Sequence, residues 1–174
     1  AGDENNTATG YRSKFSHDRE TASPGYYSVM LDDYNVKAEL TASPRVGFHK
    51  YTFPKGEESN IIVDPTSKIF GTTYHTFVSI EGNNKITGYS YSTGWGGKRF
   101  AYFVMEFSKP FKSFGTYSNG RLNHNQNHAL GKDAKAFVRF STTDNESVEV
   151  KVSLLQVSRG VHSLISIKKL PMLI

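Results

Sequence analysis

From Ala22 to Pro54 the chain reads ASPGYYSVMLDDYNVKAELTASPRVGFHKYTFP. Two runs of aromatic and β-branched residues flank an Asp-Asp-Tyr-Asn turn, and a third run is closed by proline. Such side chains fit a pleated, half-buried surface, and Pro, Gly, Asp and Asn supply the reversals, so the block specifies antiparallel sheet. The pattern continues. Candidate strands fall at 26–31, 36–41, 46–53, 60–64, 72–81, 85–91, 99–107, 111–117, 135–140 and 148–155. Their spacing is that of an all-β fold, a sandwich or barrel. No segment sustains a helical period, and no internal repeat is visible.

The faces follow from alternation. Val36, Ala38 and Leu40 point one way and Lys37, Glu39 and Thr41 the other, which predicts one buried and one wet face. In 99–107 both alternating sets are mostly apolar, which predicts a central strand covered on both sides and hence a layered fold. Asp32-Asp33-Tyr34-Asn35, Gly82-Asn83-Asn84 and Thr143-Asp144-Asn145-Glu146 read as hairpin loops. Residues 118–132, SNGRLNHNQNHALGK, read as the longest irregular stretch, a functional loop or a contact to something missing. Residues 1–15 read as a disordered linker, 16–158 as one β-sandwich domain and 159–174 as an atypical tail, apolar and basic, without the turn spacing before it.

A chain of 174 residues suffices for one domain with a real core. The formal charge of +5 points toward an anionic partner, but the basic residues are scattered among acidic ones and form no stripe, which argues against nucleic acid. No apolar stretch is long enough for a membrane span, and the first residues are polar, so a signal peptide for export would lie outside this sequence. The lack of cysteine excludes disulfides and thiolate-held metals.

Glycosidase chemistry needs two carboxyl groups facing across a pocket. Asp64 and Glu106 lie in apolar strand candidates and are the best candidates for buried acids, yet carboxylates at such places more often satisfy backbone or basic donors. His124 and His128 have the spacing of a helical metal pair, but Asn, Gly and Gln around them favour a loop, and no acidic third ligand is near. His17, His49 and His75 read as strand or cap residues. Trp95, in STGWGG, stands between two aromatic strands. An exposed indole there would stack on a sugar ring, with Lys98 and Arg99 on the rim. An indole folded back as a core plug is the alternative. No catalytic site and no metal site is assigned, and no hydrolase, nucleotide or EF-hand motif occurs.

The segment SHDRETASPGYYSVMLDDYNVKAELTASPRVGFHKYTFP closely resembles the N-terminal domain of glycoside hydrolase family 92, the exo-acting α-mannosidases, and so resembles part of an α-1,2-mannosidase, with the linkage preference left open. GWGGKRFAYFVMEFSKPF, 94–111, and AFVRFSTTDNESVEVKVSLLQVS, 136–158, resemble it too, and the blocks keep the family's order. The resemblance implies an antiparallel β-sandwich of the large galactose-mutarotase-like (supersandwich) type, packed on a C-terminal helical (α/α)6 catalytic barrel absent from this sequence. It further implies a calcium-dependent, inverting, bacterial enzyme in the periplasm or outside the cell. Acid, base and calcium ligands are expected chiefly from the barrel, so this chain alone should be inactive and hold no cofactor. Pro65 and the tail after Ser158 depart from the family pattern. The tail marks either a truncated or frame-shifted product or a natural terminus. Two other functions stay open: a carbohydrate-binding module for mannose-containing glycans, and a scaffold that self-associates through exposed apolar surface.

Overall fold

The computed structural model describes residues 12–67, 70–94 and 96–158. Trp95, the tail from residue 159 and the first eleven residues of the expected linker lie outside them. Every assigned pairing between strands is antiparallel. The strands, in chain order, are β1 Glu20–Ser23, β2 Tyr26–Leu31, β3 Val36–Ala42, β4 Val46–Phe53, β5 Gly56–Val63, β6 Thr73–Glu81 and β7 Lys85–Gly94, followed by β8 Gly97–Phe107, β9 Ser113–Ser118, β10 Arg121–His124, β11 His128–Gly131, β12 Lys135–Thr142 and β13 Glu146–Ser158. A 3₁₀ turn, His17–Arg19, precedes them, and no α-helix occurs among the described residues.

Two sheets form. One has nine strands in the order β1-β2-β3-β4-β13-β8-β7-β6-β11, the other four in the order β10-β9-β12-β5. Their facing sides share one core: Phe53, Phe103, Phe107 and Val150 from the large sheet interlock with Val138 and Phe140 from the small one. The chain is therefore an all-β antiparallel sandwich, its layers joined by alternating inward side chains. Residues 12–14 lie against the β2–β3 turn, where Lys14 N–H donates to Asp33 Oδ2 at 2.8 Å and Asp32 N–H to the Lys14 carbonyl at 2.9 Å.

The predicted alternation is realised in β3, where Val36 and Ala38 are buried. β8 runs between β13 and β7. Phe103 and Phe107 enter the core, while Phe100 and Tyr102, on the opposite face, are also buried.

Residues 118–132 are not irregular, which corrects the sequence expectation. Asn119 and Gly120, at φ 51° and 73°, make a two-residue hairpin that pairs Arg121 with Ser118. Two consecutive positive φ angles match the twist of such a hairpin, and Asn-Gly is the dipeptide that adopts them most readily. The chain then crosses sheets: β10 closes the small sheet beside β9, and β11 closes the large one beside β6. Asn125, at φ 59°, donates its N–H to the Phe114 carbonyl at 3.0 Å, and Ile80 N–H donates to the Asn127 carbonyl at 2.6 Å, so the crossing is bonded to both layers.

Candidate functional site

The β7–β8 hairpin is tied to the start of β6. Thr93 N–H donates to the Thr72 carbonyl at 2.9 Å, and Thr72 N–H to Thr93 Oγ1 at 3.0 Å. Arg99 turns back over the hairpin, giving one Nη2 bond to the Gly96 carbonyl at 2.9 Å. Any side chain at Gly96 would run into that guanidinium. Lys98 is exposed, its Nζ 5.0 Å above the Tyr74 ring, a cation–π distance. Lys98 and Arg99 are adjacent on β8, so their side chains leave opposite faces of the strand, and each is already engaged with protein.

Beside Lys98 runs a row of rings that sequence reasoning did not assemble. Tyr91 and Phe100 stack at 4.4 Å with 17° between their planes, and Phe100 and Tyr102 are nearly parallel at 5.8 Å. His75 touches Tyr89, Tyr91 and Phe100 at 5.2–6.1 Å, and its Nδ1 is buried without a hydrogen-bond partner. The register explains the row: Tyr89 stands opposite Tyr102 and Tyr91 opposite Phe100. Equal parity in 85–91 and 99–107 was a legible signal. The bulge between Thr73 and His75, which brings Tyr74 to 5.0 Å from Tyr91, was not.

The candidate acids do not meet. Asp64, just past β5, accepts from Thr66 N–H at 2.9 Å and Thr66 Oγ1 at 2.5 Å, and pairs with Lys135 at 3.0 Å. Glu106 alternates with Met105 and Phe107, which pack in the core, and so points away from it. Asp64 is a turn-locking carboxylate rather than half of a catalytic pair.

His124 and His128 sit on strands of different sheets, so their spacing does not make a helical pair. His124 meets the Phe137 ring edge-on at 5.8 Å, and His128 Nδ1 lies 3.0 Å from Asn127 Oδ1. His17 pairs with Glu20 at 2.5 Å. His49 lies 2.9 Å from the Tyr51 hydroxyl, and burial holds the imidazole below its ordinary pKa and the phenol above it. Among the described residues no three His, Cys, Asp or Glu side chains converge as a metal site.

An open groove of about 1070 Å³ wraps the edge of β5 that carries no strand among the described residues, and is lined by Leu31, Val36 and Tyr51 of the large sheet and by Ile62, Phe137 and Arg139 of the small one. Arg139 lies 5.5 Å over the Phe137 ring and bonds Asn60 Oδ1 at 3.1 Å.

The fold and its surfaces define a two-layered antiparallel β-sandwich domain with a ring-lined outer face. The model of the glycosyl hydrolase family 92 N-terminal domain matches residues 1–154, and the chain belongs to that family. It is 33% identical to the family GH92 α-mannosidase BT3965 of Bacteroides thetaiotaomicron, solved in complex with mannoimidazole, over 95% of this chain and 22% of that one, with a TM-score of 0.79. The GH92 glycosyl hydrolase ccman5 is 25% identical over 82% of this chain and 20% of that chain, with a TM-score of 0.73. The inverting mannosidase BT2199 of B. thetaiotaomicron VPI-5482, at 24% identity, covers 92% of this chain and 21% of its own, and shares the fold with a TM-score of 0.72. This chain thus spans about a fifth of the length of these solved relatives. Among curated proteins nothing matches.

Proposed function

We propose that this chain is the non-catalytic N-terminal domain of an exo-acting, calcium-dependent, inverting α-mannosidase, exported to the periplasm or beyond. It supports the helical catalytic domain and walls one side of the active-site cleft. The observation that carries this reading is the family match over residues 1–154, joined to Asp64 and Glu106 serving separate local environments. Calcium, acid and base then belong to the catalytic domain. The test is direct: the purified chain, with calcium supplied, releases no mannose from an α-mannoside, and measurable release overturns the proposal.

Lys98, over Tyr74 beside the aromatic row, favours a second reading, a module that binds mannose-containing glycans on its own, with Trp95, between β7 and β8 in the sequence, as the stacking plane. Calorimetric titration with mannose and α-mannobiose separates the two. Heat of binding that disappears in Trp95→Ala and weakens in Lys98→Ala supports the module. Affinity unchanged by Trp95→Ala removes the indole from the site.

A further inference from the structure

The turn that joins β9 to β10 carries chemistry of its own. Asn119 and Gly120 are exposed, and both adopt positive φ. Asparagine followed by glycine is the sequence most open to attack of the next backbone nitrogen on the side-chain amide, since glycine brings no Cβ to obstruct the ring being formed. One carboxylate holds both backbone groups: Asn119 N–H donates to Asp133 Oδ1 at 2.8 Å, and Gly120 N–H to Asp133 Oδ2 at 3.2 Å.

We propose that Asn119–Gly120 is a latent deamidation site and that Asp133 keeps it unreactive by clamping the attacking nitrogen. The reaction begins when the Gly120 nitrogen gives its proton to water or hydroxide and attacks Asn119 Cγ. A C–N bond forms, the side-chain nitrogen takes a proton from water and leaves as ammonia, and a succinimide remains. One water opens the ring at either carbonyl, giving aspartate or isoaspartate. Nothing is oxidised or reduced, and water is the only co-reactant.

Asp133 opposes the first step in two ways. Its negative charge sits against the N–H that must ionise, so removing that proton would set two anions side by side. Its paired bonds also fix the peptide planes on either side of Asn119, away from the rotation that ring closure needs. The hydrogen bond from Asn119 N–H, joined by that from Gly120, holds the Asp133 carboxyl below its ordinary pKa, so the clamp is ionised wherever hydroxide drives the reaction.

The product matters for the fold. Isoaspartate lengthens the main chain by one carbon in a turn that has room for two residues, and aspartate sets a second carboxylate beside Asp133. Either change loosens β10, the end strand of the small sheet. The site therefore works as an ageing switch whose rate is set by one side chain.

The experiment follows ammonia loss at Asn119 by peptide mass spectrometry during incubation of the whole chain in mildly alkaline buffer. Asn83, followed by Asn84 rather than glycine, serves as the internal reference. The expected result is slow reaction in the native protein, fast reaction in denaturant, and acceleration of about tenfold in Asp133→Ala, the worth of one charge-assisted hydrogen bond. Asp133→Asn, which keeps the shape and loses the charge, falls between. Equal rates at Asn119 in native buffer and denaturant overturn the clamp, as does an unchanged native rate in Asp133→Asn. If Asp133→Ala unfolds, Asn83 accelerates with it, and the native-to-denatured ratio together with Asp133→Asn decides the matter.

Discussion

Phe103 stands so close over Gly88 that a methyl on Gly88 would lie 2.6 Å from Phe103 Cζ and 2.3 Å from the Phe77 carbonyl oxygen. The small sheet repeats the device: a methyl on Gly115 would stand 2.5 Å from Phe137 Cζ and 2.4 Å from the Asn123 carbonyl oxygen. Each glycine removes a side chain where a ring from the neighbouring strand must cover the backbone.

Gly88→Ala and Gly115→Ala are each expected to destabilise the domain by about 1–3 kcal/mol, the cost of forcing volume into a packed site. Gly88→Ala should do more harm, because Phe103 belongs to the shared core while Phe137 faces the groove. Denaturant unfolding of the three proteins checks the order, and two unchanged midpoints refute the packing argument.

Two buried threonines should respond oppositely to the same substitution. Thr76 Oγ1 donates to the Gly131 and Ala134 carbonyls at 3.2 and 3.1 Å, tying β6 to the loop before β12. Thr116, fully buried in β9, has an Oγ1 with no hydrogen-bond partner. Thr76→Val therefore costs about 1 kcal/mol, and Thr116→Val is neutral or stabilising by a similar amount, since an unmade buried hydrogen bond carries the desolvation penalty alone. Thermal melts of both variants settle it, and a Thr116→Val protein clearly less stable than the parent would show that the hydroxyl has a partner.

The architecture was legible because alternation and turn chemistry act locally. The hairpins at 32–35 and 82–84 follow from their Asp, Asn and Gly residues, and β8 was recognisable as central from apolar residues at both parities. The turn at 143–146, expected as a third hairpin, instead carries the chain from β12 of the small sheet to β13 of the large one, because a turn signal does not say which strands will pair. The Asn119–Gly120 hairpin carried an equally clear turn signal, yet its strands are short and polar, so nothing in a run such as RLNH declared a buried face. The crossing at 125–127 depends on bonds to Phe114 and Ile80, distant in sequence, and no local pattern encodes those. The candidate site was less legible: Lys98 and Arg99 are neighbours in sequence, but strand alternation sends their side chains to opposite faces, and that each is already engaged, with Tyr74 and with Gly96, is a fact of tertiary packing. His124 and His128 misled because spacing implies geometry only once the element is known.

Acid should weaken the β12–β13 turn. Glu146 accepts from Lys109 Nζ at 2.5 Å and from Thr143 N–H at 2.8 Å, and these bonds, Lys109 first, hold its carboxyl below the ordinary value of 4.5. A lowered folded-state pKa means that the unfolded chain takes up protons first as pH falls. The stabilisation is complete above the unfolded value and is lost as pH drops through the folded one. Glu146→Gln should flatten the acid limb of the stability curve, together with a modest loss of stability at neutral pH. Equilibrium unfolding across pH 3–7 measures this, and a curve of unchanged slope removes Glu146 from the linkage.

Ile62 is 43% exposed on β5, a strand paired on one side with β12 and, among the described residues, with no strand on the other. Leu31 and Tyr51 of the large sheet lie across the same groove, so an incoming strand would find both open backbone groups and an apolar floor. Such an edge is a template for pairing, and the isolated chain is expected to self-associate through it. Ile62→Lys places a charge where the new strand's side chains would pack, and should weaken association by roughly tenfold or more, since full burial of an isoleucine is worth about 1.5–3 kcal/mol. Because Ile62 points away from the core that holds Ile61 and Val63, the fold should survive the change. Sedimentation velocity over a range of concentrations gives the answer. A parent chain that stays monomeric throughout, or an Ile62→Lys variant that associates as strongly, would show that the edge is protected by something other than this side chain.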